Sequence, residues 1–137
     1  MTKKIIKFFF FFLISITISS KLFTENKKEE FIKQILLEID TIKSKVDIKN
    51  PINDYLKIAH LYIQIEDYNE ATNYINKIIE KDPKNSRAHY LLALIYEKKK
   101  EYDKAINIWQ KVLEYSTTKE MKEIAQKHID YLNQIKK

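Results

Sequence analysis

Apolar residues recur every three or four positions along most of the chain after residue 25, and Lys, Glu and Asn fill the positions between them. This period places apolar side chains on one face of an α-helix, whereas a half-buried strand would alternate every second residue. The segment 26–47 shows the period first, in the stripe Phe31, Ile35, Ile39, Ile42 and Val46. Five shorter stretches follow, so the pattern predicts six helices after residue 25 and an all-α fold.

Three polar sites look like helix starts. Asn26 followed by Glu29, and Thr117 followed by Glu120, have the spacing of a capping box, in which each side chain bonds the other residue's backbone. Asn50 precedes Pro51, and proline fits a first helical turn because no amide hydrogen is needed there. The sequence therefore predicts helix starts at residues 26 and 118 and an N-cap at Asn50.

The stretch 86–119 repeats the size pattern of 52–85, position for position. Small residues stand at matching places, and large ones stand beside them. Small residues allow two helices to approach closely, and large ones fill the space around the crossing. The eight matched pairs are Tyr55–His89, Ile58–Leu92, Ala59–Ala93, Tyr62–Tyr96, Tyr68–Tyr102, Ala71–Ala105, Ile75–Trp109 and Ile78–Val112. Trp109 fills a bulky position of this pattern, which predicts a core residue.

These two units resemble tetratricopeptide repeats in length, spacing and residue size. The resemblance implies an antiparallel helix-turn-helix solenoid with a first repeat at 52–85 and a second at 86–119. The segments 21–51 and 118–137 would flank and cap it, and the last helix looks like a lone first helix of a third unit. Glu66 and Lys100 stand where the family usually has glycine in the turn, so these turns are expected to be strained or differently shaped.

The first twenty residues carry a different signal. A basic start is followed by 13 uncharged, mostly apolar residues between Lys7 and Lys21. A spanning helix needs about 20 apolar residues, whereas a signal-peptide core has about 7–15. Residues 1–20 are therefore predicted to be a signal peptide, with a retained N-terminal membrane anchor as the alternative. The protein would then be exported, either periplasmic or secreted after cleavage or anchored in the inner membrane.

Composition narrows the chemistry. The chain has no Cys, which excludes disulfides and thiolate chemistry, and no Gly, which excludes a glycine-rich phosphate loop. Its net charge of +6 comes with interspersed signs, so no nucleic-acid partner is predicted. His60, His89 and His128 have no metal-binding spacing, and acidic pairs such as Glu66–Asp67 fall in turn-prone stretches. No catalytic residue, cofactor or metal ligand is predicted.

The family resemblance implies that the first helix of each repeat lines a concave groove for peptides. Leu56 and His60 stand where the family's clamp for terminal carboxylates has Lys and Asn, so that clamp is absent. The groove is either open or covered by residues 26–47 or by the C-terminal helix. The matching positions are Asn53, Leu56, His60, Ile63, Gln64, Arg87, Tyr90, Leu94, Glu97 and Lys98.

The sequence thus predicts a non-catalytic protein-interaction module of the cell envelope, which binds a protein or peptide through the concave face of its repeats. The membrane is a partner only if the N-terminal segment is uncleaved. One alternative is a self-assembling structural subunit, a homo-oligomer. The other is a small metal-binding or enzymatic helical protein.

Overall fold

The computed structural model describes the backbone of residues 2–135 and the side chains of residues 21–135. Over that range the regular structure is entirely helical, without a strand, which confirms the predicted all-α fold. The predicted signal peptide or anchor at residues 1–20 lies outside the described side chains and stays a prediction. In the searched, described part of the chain, no helix is long and apolar enough to cross a membrane. The helices are α1 (Thr2–Lys43), α2 (Ile52–Gln64), α3 (Tyr68–Lys81), α4 (Ser86–Lys98), α5 (Tyr102–Tyr115) and α6 (Lys119–Ile135).

The chain divides into two compact units, Met1–Glu38 and Ile39–Lys137. The first unit contains α1 up to Glu38. The predicted helix start at Asn26 is wrong, because α1 already begins at Thr2. No proline or glycine lies between residues 2 and 43, so nothing in the sequence breaks the helix at residue 26.

The second unit contains the end of α1 and five further helices that pack in sequence order. Three residues join α2 to α3, and three join α4 to α5, so each pair forms a tight helical hairpin. In turn α3 packs on α4, and α5 packs on α6. This order agrees with a helical repeat that stacks one hairpin on the next.

The predicted size pattern is found in the core. Ala59, Ala71, Ala93 and Ala105 have no exposed surface, and each lies in a helix that packs closely on its neighbour. Trp109 is likewise fully buried, as the pattern predicted. A buried alanine leaves no room for a larger side chain without shifting the helices, since interiors are close-packed.

The two hairpin turns are built alike. Glu66 and Lys100 have φ angles of 62° and 59°, in the left-handed region that favours glycine. The amide of each donates to the carbonyl three residues before it, on Ile63 and Glu97, at 3.1 and 2.9 Å. The next amides, of residues 67 and 101, each donate to the carbonyl five residues before it, at 2.9 Å. This is the Schellman ending of a helix, so the turns keep the shape that glycine would give while a lysine or glutamate bears its steric cost.

Side-chain caps separate the helices, but not all where the sequence predicted them. Asp67 and Asn85 accept bonds from the amides of Glu70 and Ala88, at 3.1 and 3.0 Å, and so cap α3 and α4. The predicted cap at Asn50 is wrong. Pro51 holds the N-cap position of α2 without a side-chain bond, while the Asn50 amide closes a preceding turn onto Asp47.

The predicted cap of α6 at Thr117 is also wrong, by one residue. The hydroxyl of Thr118 accepts a bond from the Met121 amide at 3.4 Å. Ser116 stabilises Thr118 in this position, because the Ser116 hydroxyl accepts a hydrogen bond from the Thr118 amide at 3.2 Å. The helix therefore starts at Lys119.

Candidate protein-interaction groove

A cleft of about 370 Å³ lies between α2 and α4, with α6 along one side. These two helices are the first helices of the two hairpins. The cleft is therefore on the face that the sequence predicted for partner binding. Its lining residues are Leu56, Lys57 and His60 of α2, Arg87, Tyr90 and Leu91 of α4, and Met121 of α6.

The cleft has an apolar floor and a cationic rim. Leu56 and Leu91 are buried, with exposures of 5% and 8%, and Tyr90 is half-buried beside them. Lys57 and Arg87 are exposed at the edge, and the lining includes no carboxylate. Such a site suits a ligand with an apolar anchor next to an acidic group, because each part meets a matching surface.

The structure brings four of the predicted groove residues together in the cleft: Leu56, His60, Arg87 and Tyr90. The other predicted positions on the two helices do not line it. Asn53, Gln64 and Lys98 are exposed, and Ile63 and Leu94 are half-buried. Leu94 packs against the buried cluster that includes Ala125 and Ile129 of α6, so the C-terminal helix borders this end of the face.

Glu97 has a role in packing that its position in the sequence did not indicate. Its carboxylate accepts a hydrogen bond from the Trp109 indole N–H and contacts the His128 Nδ1 at 2.7 Å. Its side chain is only 18% exposed. The predicted groove residue Glu97 therefore joins α4, α5 and α6 to one another.

Aromatic contacts connect this packing to the cleft. The Trp109 ring stacks on His128, with ring centres 4.4 Å apart and an angle of 23° between the planes. The Trp109 ring also contacts the Tyr90 ring edge-on, with ring centres 5.3 Å apart and an angle of 83° between the planes. The fully buried Trp109 therefore supports the Tyr90 ring, and Tyr90 forms a well-positioned wall of the cleft.

Sequence reasoning missed Lys57, Leu91 and Met121 as lining residues. Lys57 and Leu91 adjoin the predicted positions Leu56 and Tyr90 in sequence, so a wider stripe on each helix would have included them. In α6, the residues Met121, Ile124, Ala125 and His128 repeat the spacing of Tyr55, Ile58, Ala59 and Tyr62 in α2. No sequence signal placed Met121 beside Arg87, because the rotation of α6 about its axis depends on tertiary packing.

The histidines show no shared chemistry. His89 is buried, and its Nε2 lies 2.9 Å from the Pro83 carbonyl oxygen. His60 is exposed in the cleft, and His128 belongs to the Trp109 stack. Across the described residues, no group of three or more His, Asp or Glu side chains could hold a metal ion.

Comparison with known proteins gives this architecture a family. Residues 56–117 match the family model described as tetratricopeptide repeat. That range contains nearly all of both hairpins, with their buried alanines and both left-handed turns. Residues 56–117 form a tetratricopeptide-repeat segment.

Two curated relatives agree with this. A TPR repeat-containing protein of Methanocaldococcus jannaschii is 39% identical over 66 residues, which are 48% of this chain and 21% of the relative. The cell division cycle protein 27 homolog A of Arabidopsis thaliana is 38% identical over 60 residues, which are 44% of this chain and 8% of that protein. The chain thus aligns with about a fifth or less of the length of these relatives.

The range that matches the tetratricopeptide model includes most, but not all, of the residues that line the cleft. Six of its seven lining residues lie within residues 56–117, and Met121 of α6 lies just beyond. The repeats therefore supply the floor and the cationic rim, while the flanking helix adds one wall.

Proposed function

We propose that the protein is a non-catalytic interaction module whose cleft between α2 and α4 binds a segment of another protein. The single observation that carries this proposal is the composition of the cleft. An apolar floor of Leu56 and Leu91, with Tyr90 as an adjoining wall, lies under a rim that carries Lys57 and Arg87. The tetratricopeptide match and the repeat-containing relative support a protein as the partner.

The bound segment would place an apolar side chain against Tyr90 and a carboxylate near Arg87. The apolar contact supplies most of the affinity, because buried aromatic anchors dominate interfaces. The guanidinium at the rim supplies orientation, since it can hold a carboxylate through two parallel bonds. An exposed charge of this kind adds little energy alone but discriminates against basic segments.

The experiment uses site-specific photo-cross-linking in cells, followed by identification of the attached protein. A cross-linking residue replaces His60 inside the cleft or, in the matched control, Lys98 on the same face but outside it. We expect a discrete adduct from position 60, and we expect Arg87→Glu in the same chain to reduce it at least fivefold. Adducts of the same identity and yield from both positions, insensitive to Arg87→Glu, would refute the cleft as the binding site.

We also propose that the module acts in the cell envelope, as an adaptor that residues 1–20 deliver across a membrane or hold there. The support is the basic start and the short apolar run of that segment. The mass of the protein recovered from its native cells tests this. A mass that lacks the segment 1–20 indicates a cleaved signal, and an intact chain in the membrane fraction indicates an anchor. An intact chain recovered from the cytoplasm would contradict both.

One observation favours self-assembly as a second candidate function. In α2 and α4, which pack within hairpins, the residues Ile58 and Leu92 are buried, with exposures of 0% and 8%. Ile124 holds the corresponding position in α6 and is 40% exposed, and Tyr131, two turns further along, is 56% exposed. A second copy could cover this face, as stacked repeats do.

Mass measurement in solution across a hundredfold range of concentration distinguishes this candidate. Self-assembly predicts a dimer or larger species that Ile124→Asp dissociates. A monomer at every concentration rejects it and leaves the cleft proposal unaffected.

A further inference from the structure

A second hollow, of about 270 Å³, lies where the end of α1 meets α2 and α3. It shares no lining residue with the cleft between α2 and α4. Two lysines and two tyrosines supply its polar groups. Its lining residues are Lys43, Val46, Tyr55, Ile58, Tyr74 and Lys77.

Tyr74 is at the centre of an aromatic cluster. Tyr55 meets its ring edge-on, with centres 5.6 Å apart, and Tyr62 stacks on it at 6.0 Å. Tyr62 is 6% exposed, so the cluster is anchored in the core of the second unit. The rings hold the hollow in shape before any ligand arrives, which limits the entropy lost on binding.

Both lysines place their ammonium groups over this cluster. The Nζ of Lys43 lies 5.7 Å from the Tyr74 ring centre, and the Nζ of Lys77 lies 4.6 Å from it. The two charges therefore share one aromatic ring. Lys43 also donates a hydrogen bond to the Tyr62 hydroxyl at 2.9 Å. That bond raises the pKa of Lys43 above its ordinary value and keeps the group charged.

Neither ammonium has a carboxylate partner among the described side chains. Lys99, Lys104 and Lys119, in contrast, each form an ion pair with a glutamate. Both ammonium groups line the hollow, so a bound anion would give each of them a partner of opposite charge.

The second repeat shows that this cluster is not a consequence of repeat packing. At the matching positions of that repeat, Ile108 replaces Tyr74 and His89 replaces Tyr55, while Lys111 matches Lys77. Lys111 is exposed on α5. The same backbone framework therefore forms without the tyrosines, and the chain itself supplies matched control positions.

We propose that this hollow is an oxyanion site that takes a phosphate group between Lys43 and Lys77. A phosphate dianion matches two cationic donors with two charges and has enough acceptor oxygens for both ammonium groups. A carboxylate would neutralise only one of the lysines. The phosphate can come from free inorganic phosphate or from a phosphomonoester lipid headgroup, which present the same chemistry to the hollow.

Isothermal titration of the full chain with inorganic phosphate, at ionic strength held constant with chloride, tests the site. We expect saturable binding of one phosphate per chain. Lys77→Gln should weaken it at least tenfold, and Tyr74→Ile, which installs the residue of the second repeat, should weaken it as well. Lys111→Gln should leave the affinity within twofold of the parent. Helical circular dichroism checks that each variant is folded. Lys43→Gln tests the other lysine of the site, and if that variant does not fold, Lys77→Gln alone tests phosphate binding.

Two results would overturn the proposal: no saturable phosphate binding, or an equal loss of affinity in Lys77→Gln and Lys111→Gln. A second arm identifies the source of the phosphate. Phosphatidylcholine vesicles with and without phosphatidic acid are sedimented with the parent and with Lys77→Gln. A lipid headgroup site predicts that the variant loses the increment due to phosphatidic acid. Equal sedimentation of both proteins, together with the binding of free phosphate, assigns the site to the free anion.

Discussion

The left-handed turn at Lys100 gives a quantitative test of how the repeats are held. Its φ of 59° brings the Cβ atom close to neighbouring backbone, which costs a residue with a side chain about 1–2 kcal/mol relative to glycine. Glycine in turn loses more freedom on folding, about 0.5–1 kcal/mol. Lys100→Gly should therefore stabilise the protein by about 0–1.5 kcal/mol net, with a central value of about 0.75 kcal/mol.

The surroundings of Lys100 also make it a suitable position for this substitution. Lys100 is exposed, so the substitution leaves the buried core unchanged. Its backbone bond to Glu97, and the bond from residue 101 to Tyr96, persist in the glycine variant. Lys100→Asn should fall between Lys and Gly, since asparagine tolerates this conformation, and Lys100→Ala should be close to neutral.

Urea denaturation followed by helical circular dichroism measures the effect, with the denaturant slope checked for constancy. Lys98→Gly is the matched control, because it makes the same change two residues away in helical conformation and should destabilise by about 0.5–1 kcal/mol. Glu66→Gly should repeat the gain in the first hairpin, and the two gains should add because the turns share no partners. Equal stability of Lys100→Gly and Lys100→Ala would refute the reasoning, since the side chain would then bear no steric cost.

Three further predictions concern the packing and the caps. Asp67→Ala should cost about 1 kcal/mol of unfolding free energy in urea, because it removes the bond that caps α3. Ala105→Leu should cost about 1–3 kcal/mol by overpacking a fully buried site, whereas Asn107→Leu on the exposed face should change little in the same assay. Lys104 and Lys99 lower the pKa of the Glu101 carboxyl below its ordinary value of 4.5, so its small contribution is present above that pH and disappears as the pH falls through the lowered value. Glu101→Gln should accordingly lower the melting temperature at pH 7 and have no effect near pH 2.

The hairpins could be predicted because their information is local and periodic. The alanines that match between the two repeats mark two helix crossings, and bulky positions beside them, such as Ile75 and Trp109, are buried as the pattern indicated. The two turns without glycine were recognised as unusual from the sequence. Their left-handed backbone was not derivable from it, because a lysine takes that conformation only when the hairpin packing on both sides stabilises it.

The helix starts could not be predicted to the residue. Thr117 and Thr118 are equally good caps by type, and the bond from the Thr118 amide to Ser116 selects between them. Asn50 has the right chemistry for an N-cap, but Pro51 holds that position, and the Asn50 backbone amide closes the preceding turn onto Asp47. Capping propensity describes one residue, whereas the chosen cap depends on what its neighbours bond.

Only part of the candidate site could be predicted, because some of its residues are placed by the packing of α6. Residue type and repeat position identify the face of α2 and α4, and so Leu56 and Tyr90 were found. Glu97 shares that face in sequence, yet its carboxylate reaches His128 on the last helix, which only the docking of α6 makes possible. Met121 lines the cleft for the same reason, because α6 packs beside it.

The cleft and the packing of α6 are therefore parts of one structure. Tyr90 forms a wall of the cleft and meets Trp109 edge-on, and Trp109 stacks on His128 of the helix that brings Met121 to the opposite wall. A ligand that presses on Tyr90 acts against a fully buried indole, not against a free rotamer. The side chain then loses little entropy on binding, and the repeats gain a preformed apolar wall without a large groove. If the cleft binds a protein segment as proposed, two hairpins and one added helix suffice for the surface, because α6 supplies both the support for Tyr90 and the wall at Met121.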